Sequence, residues 1–208
     1  MIPQLPLTYL GNLEYFYYLV KHPKVHLDAH EVYQKQTFRN RCVIVGPNGK
    51  LNLSVPVERP NGKLTKTKDV LISYNENWQH VHWKTLESCY NRSPYFEFYA
   101  DQLKTILLTK FKTLAELNLT FIRYLIDKLG VDCELIQQFD EEPDSILNLM
   151  THFSPKIKSK FNSYPYLQTF TERHGHVPNL SILDLLFNEG SNSICILEES
   201  SFSVLNND

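Results

Sequence analysis

Glycine is scarce in this 208-residue chain, with seven in all, and the phosphate-binding glycine loops are missing. There is no G-x-x-x-x-G-K-[ST], no G-x-G-x-x-G and no G-x-S-x-G elbow. The commonest nucleotide-cofactor and serine-hydrolase chemistries therefore have no carrier here, and the sequence names no cofactor. Cysteine is sparse as well. Cys42, Cys89, Cys133 and Cys195 stand far apart, and no C-x-x-C pair exists. That spacing argues against a zinc ribbon or a disulfide scaffold and for free, reduced thiols. No apolar run reaches the ~18–20 residues that span a bilayer. The opening stretch MIPQLPLTYLGNLEYFYYLV lacks a basic start and is interrupted by Glu14, so it does not read as a signal peptide, and a cytoplasmic location is expected.

Net charge is nearly absent too, at −2, but it is unevenly spread. Between Lys35 and Lys68 eight lysines and arginines face the single Glu58, a net +7, which leaves −9 for the rest of the chain. A basic segment in an acidic protein is a local electrostatic feature. With no RNA-binding signature and no helix-turn-helix, a nucleic-acid partner is not expected. The partner sought is an anionic small molecule.

Apolar residues at 42% and charged residues at 21% describe a globular chain, long enough to bury a core. Alternation in FRNRCVIV and LNLSVPV, joined by GPNG, predicts a β-hairpin over 38–57. KVHLD at 24–28 reads as a strand after a helix near Leu13–Val20 that Pro23 stops. Helical periodicity follows over 78–129 in three segments: from Trp78, from Ser93-Pro94, and over about 113–129 with Lys128 and Gly130 at its end. Beyond 138 the pattern weakens, apart from a short helix in PNLSILDLLFNEG capped by Asn179 or Ser181. The expectation is an α+β fold, or an α/β one, with a small sheet around the 38–57 hairpin packed against helices 78–129. Residues 1–137 form the core domain. Residues 138–208 form an irregular extension that wraps back.

The candidate site residues come from this frame. Arg39 and Arg41 lie two apart on a strand, so both guanidiniums leave one face, near Lys35; the alternative is an ordinary solvated sheet face. His82 shares a helix face with Trp78 and Leu86. It is either a satisfied core histidine or a general base in a pocket walled by Trp78 and Tyr90. Asp28 ends a strand, a position as common in turns as in active sites. A metal site built from it with His26, His30 and Glu31 is not expected. Cys42, in apolar company, reads as an inert thiol.

The segments YQKQTFRNRC, LSVPVERPNG, NWQHVHWKTLESCYNRSPYFEFY and RHGHVPNLSILDLLFNEG, in this order, resemble the WbqC-like protein family in its Bacteroidetes-type branch. The resemblance covers about residues 5–190. It implies a cytoplasmic bacterial protein linked to surface-polysaccharide or O-antigen synthesis, transferring an acyl or aminoacyl group. Its pattern falls on Asp28, Gln34, Asn40, Arg41, Pro56, Trp78, His82, Trp83, Tyr90, Pro94 and Tyr95. The family's opening His-Gln-Pro-x-Tyr-Leu-Pro motif is here PQLPLTYLG, without the histidine. The combined expectation is a group transferase with His82 and Asp28 catalytic. Gln34, Lys35, Arg39, Asn40, Arg41, Trp78 and Tyr90 would bind an anionic donor or sugar nucleotide. The alternative is a non-catalytic binding or scaffold protein of glycan assembly.

Overall fold

The computed structural model describes residues 1–139 and 143–202. The chain runs through β1 (Ile2–Pro6), α1 (Leu13–Lys21), β2 (Lys24–Asp28), β3 (Arg41–Gly46), β4 (Gly49–Ser54), β5 (Val57–Glu58) and β6 (Leu71–Ile72). Three longer helices follow: α2 (Trp78–Tyr90), α3 (Phe96–Leu108) and α4 (Leu114–Leu129). The rest comprises β7 (Glu134–Ile136), β8 (Ile146–Asn148), β9 (Phe161–Asn162), α5 (Thr171–His174), α6 (Ile182–Glu189), α7 (Ser193–Glu199) and β10 (Ser201–Phe202). No helix among the described residues is long and apolar enough to cross a membrane.

The fold is α+β. Its central sheet has four parallel strands in the order β7-β2-β1-β8, with Gln4 opposite His26 and Ile2 opposite Ile146. β1 and β2 hold the middle because each buries apolar side chains, Leu5 in one and Val25 and Leu27 in the other. Asn12 starts α1 between them by accepting the Tyr15 N–H at 3.1 Å. The β3–β4 hairpin is a separate two-stranded sheet, not the nucleus of the central one. Its turn is Pro47-Asn48, flanked by the pair Gly46 and Gly49. Gly49 alone takes the left-handed conformation there, with φ +105°. β5 and β6 pair beyond the proline break at Pro56, as a residue without an N–H requires.

α4 shows how directly sequence becomes structure. Leu114, Leu117, Phe121, Leu125 and Leu129 are all buried. Thr113 accepts the Glu116 N–H at 3.2 Å, and the Glu116 carboxylate accepts the Thr113 N–H at 3.0 Å. This reciprocal cap satisfies two orphan donors. Thr113→Ala is expected to destabilise the protein by about 1 kcal/mol, with Thr113→Ser recovering most of it; urea denaturation measures both.

α3 starts at Phe96, two residues later than Pro94 suggests. Ser93 and Tyr95 hold the preceding turn through backbone bonds, the Phe96 N–H reaching the Ser93 carbonyl. Past residue 138 the chain is more regular than its pattern indicates. β8 enters the central sheet, and α6 and α7 pack on α1. Ser181 caps α6, while Asn179 turns to α1 and accepts the Glu14 N–H at 3.0 Å.

Candidate functional site

The basic segment folds as a turn followed by a strand. The Thr37 hydroxyl donates to the Gln34 carbonyl at 2.8 Å, and Gln36 sits at φ +60°, an unfavourable conformation for a side chain with a Cβ. β3 then begins at Arg41. Between this turn and β5 lies a hollow of about 440 Å³. Lys35, Arg41 and Arg59 line it, with Tyr33, Gln36 and Asn40. None of the three cations makes an ion pair among the described residues. Arg41 Nε and Asn40 Oδ1 are buried without hydrogen-bond partners there. Asn40 is otherwise pinned: its Nδ2 donates to the Val55 carbonyl at 2.9 Å, and its own carbonyl accepts the Val55 N–H at 2.8 Å. Burial pushes the Tyr33 phenol up to about 12, against the pull of Arg39, Arg41 and Arg59. The hollow therefore gathers positive charge that no carboxylate among the described residues neutralises.

Arg39 corrects the sequence reading. It was expected to share an outward face with Arg41, but it lies outside β3 and is fully buried. Its Nη2 donates to Glu31 Oε2 at 2.7 Å and to the Met150 carbonyl at 2.8 Å, and Nη1 donates to Thr37 at 3.2 Å. A guanidinium without solvent needs a carboxylate, and Glu31 supplies it. Arg39 is held in a buried ion pair and does not line the hollow.

The other expected residues disperse. Gln34 is exposed on the turn. Asp28 has both oxygens occupied, Oδ2 by Gln4 Nε2 at 3.0 Å and Oδ1 by the His30 N–H at 2.7 Å. His82 is buried, with the Tyr9 hydroxyl 2.9 Å from its Nδ1 and the Trp78 ring 5.1 Å away. Burial holds its pKa down near 4, with only partial compensation from the Ser54 backbone. His82 and Trp78 line a different depression, between α2 and β4, which does not include Arg41. Tyr90 faces away from both and donates to buried Asp184 at 2.9 Å. The Cys42 thiol is buried, and burial pushes its pKa well up.

Thus Lys35, Asn40 and Arg41 come together, while His82, Asp28, Trp78 and Tyr90 do not join them. Arg59 is the member that the residue-by-residue reading missed. Its signal was its place in the same +7 segment, just past β5.

No curated protein and no solved structure matches the chain. The sequence pattern of one family does, over residues 8–154, a stretch that contains the turn, the hairpin and every cation of the hollow. The chain belongs to the WbqC-like protein family.

Proposed function

We propose that this protein is a group transferase that holds the anionic end of a small-molecule donor between Lys35, Arg41 and Arg59. The carrying observation is the convergence of three cations, with no carboxylate partner among the described residues, on one hollow. Guanidinium forks suit phosphate and carboxylate oxygens. The volume falls within the ~300–1,000 Å³ of small-molecule sites. Sugar nucleotides and activated acyl carriers share this anionic end. Family membership favours a setting in surface-polysaccharide assembly, in the cytoplasm.

The rival reading, a scaffold using its aromatic helices as an interface, relied on Trp83 and Tyr95 being exposed together. Trp83 is buried and stacks on Phe96 at 5.9 Å, which removes half of that surface.

Titration calorimetry with pyrophosphate, a UDP-sugar and acetyl-CoA tests the proposal. At least one is expected to bind, and Arg41→Ala to weaken it by about tenfold or more, the worth of a charge-assisted hydrogen bond. Lys84→Ala, on the exposed face of α2, leaves binding unchanged. No binding by any probe, or equal binding by Arg41→Ala, refutes it.

A further inference from the structure

Arg41 also borders a narrow seam with Asn12, Phe38, Val43 and Asn179. Those four residues line a cavity of about 510 Å³ as well. The seam thus shares Arg41 with the basic hollow and these four residues with the cavity. Inside the cavity, His152 Nε2 lies 2.7 Å from Glu14 Oε1. Glu14 is the second residue of α1 and is almost fully buried. Its Oε2 accepts from Asn179 Nδ2 at 3.1 Å. Asn179 adopts φ +53° while making this contact and the return bond to the Glu14 N–H. Both carboxylate oxygens are thus committed, and the carboxylate cannot swing.

A carboxylate against Nε2 selects the tautomer protonated there, so Nδ1 carries the lone pair. Among the described residues nothing bonds Nδ1, and the His152 side chain is 30% exposed. The Phe153 ring meets the imidazole edge-on at 5.2 Å and limits its rotation. Phe38, Phe153 and Phe161 give the cavity an aromatic wall, while Asn52 and Ser154 add hydrogen-bonding groups. An oriented histidine beside an aromatic wall is the arrangement of a general base facing a ring-bearing substrate.

We propose that this cavity is an acid–base site in which His152 is the base, Glu14 positions it, and the ligand is a ring compound bearing a hydroxyl or amine. The ligand's O–H or N–H bond breaks, and its proton passes to His152 Nδ1. The heteroatom's electron pair forms the new bond to the electrophilic centre of the activated donor, whose leaving group departs with its bonding pair. Glu14 neutralises the imidazolium until the proton passes to the leaving group. Assigning the proton donor as the acceptor of group transfer rests on the function proposed above; the acid–base site itself does not.

The other charged groups lining the cavity with His152 are Glu14 from α1, Lys50 from β4 and Lys158 from the loop between β8 and β9. Glu14 raises the His152 pKa through its hydrogen bond and charge, against burial. The base form accordingly accumulates above the usual histidine range.

The probe is p-nitrophenyl acetate, an uncharged activated ester that does not need the basic hollow. Its hydrolysis should rise with pH to a midpoint above about 6.5, the ordinary histidine value. His152→Gln should cost about tenfold or more, within the range of acid–base contributions. Glu14→Gln should lower both the rate and the pH midpoint. Lys84→Ala should match the parent. A His152→Gln protein as fast as the parent, or a parent no faster than free imidazole, overturns the assignment. Should either variant fail to fold, imidazole ¹⁵N shifts of the parent above its titration midpoint decide: a lone pair on Nδ1 supports the site, and one on Nε2 refutes it. Ester hydrolysis without pyrophosphate binding removes the donor reading and keeps the base; the reverse keeps the hollow and removes the base.

Discussion

Glu31→Ala is expected to lower the unfolding free energy by about 3–5 kcal/mol, the cost of stranding a buried charge. Arg39 has no solvent exposure, and its bidentate partner is Glu31. Removing the carboxylate leaves a guanidinium among neutral acceptors, Thr37 and the Met150 carbonyl. For a chain of this size the loss corresponds to a fall in Tm of roughly 10 °C. Salt should change it little, because a buried pair is poorly screened. Replacing both partners, Glu31→Leu with Arg39→Met, should recover most of the loss, since an apolar pair of similar volume carries no desolvation penalty. Denaturant melts of the two variants test this. A loss under about 1 kcal/mol from Glu31→Ala would mean that water reaches Arg39. The pair also links the turn carrying Lys35 to Met150, two residues before His152, so it braces both candidate sites.

Acid should destabilise the protein through His82 by about 3 kcal/mol between pH 7 and pH 4. Burial holds the folded pKa near 4 against an ordinary 6.5. Between those values the unfolded chain binds the proton that the folded chain refuses, so stability rises with pH in this window and is lost on acidification. His152 works in the opposite direction. Its raised pKa adds stability that is fully present below the ordinary histidine value and is lost as pH rises through the folded one. Comparing urea melts of the parent and His82→Gln at several pH values isolates the first effect. Glutamine keeps a polar partner for the Tyr9 hydroxyl but cannot titrate. Equal acid sensitivity in the two proteins would remove His82 as its source.

The elements legible in the sequence are those whose signals are local. The Thr113–Glu116 cap, the stripe of α4, the hairpin turn at Gly49 and the Ser181 cap of α6 all lie within a few residues of what they determine. β7 and β8 are three-residue strands whose partners lie more than a hundred positions away, so no window of sequence reveals them. The site was half legible for the same reason. Charge density marked Lys35 and Arg41 correctly as neighbours. It cannot distinguish a cation awaiting a ligand from one paired inside the fold, and Arg39 is the second kind. Strand alternation misplaced Arg39 because the strand starts at Arg41. Glu14 did carry a signal: a lone carboxylate within the aromatic run LEYFYYLV must find a partner if buried. His152 lies in a stretch without period, and nothing local marks it.

The order of the central sheet also sets a schedule for synthesis. β1 and β2 can pair through α1 as soon as the first thirty or so residues emerge, but both of their outer edges stay open. β7 and β8, which close them, follow more than a hundred residues later. At roughly 5–20 residues per second, the nascent sheet shows two bare edges for about 5–20 s. Those edges are templates for wrong pairing. The yield of folded protein should therefore respond to translation speed and to holdase chaperones more strongly than the stability of the finished molecule suggests.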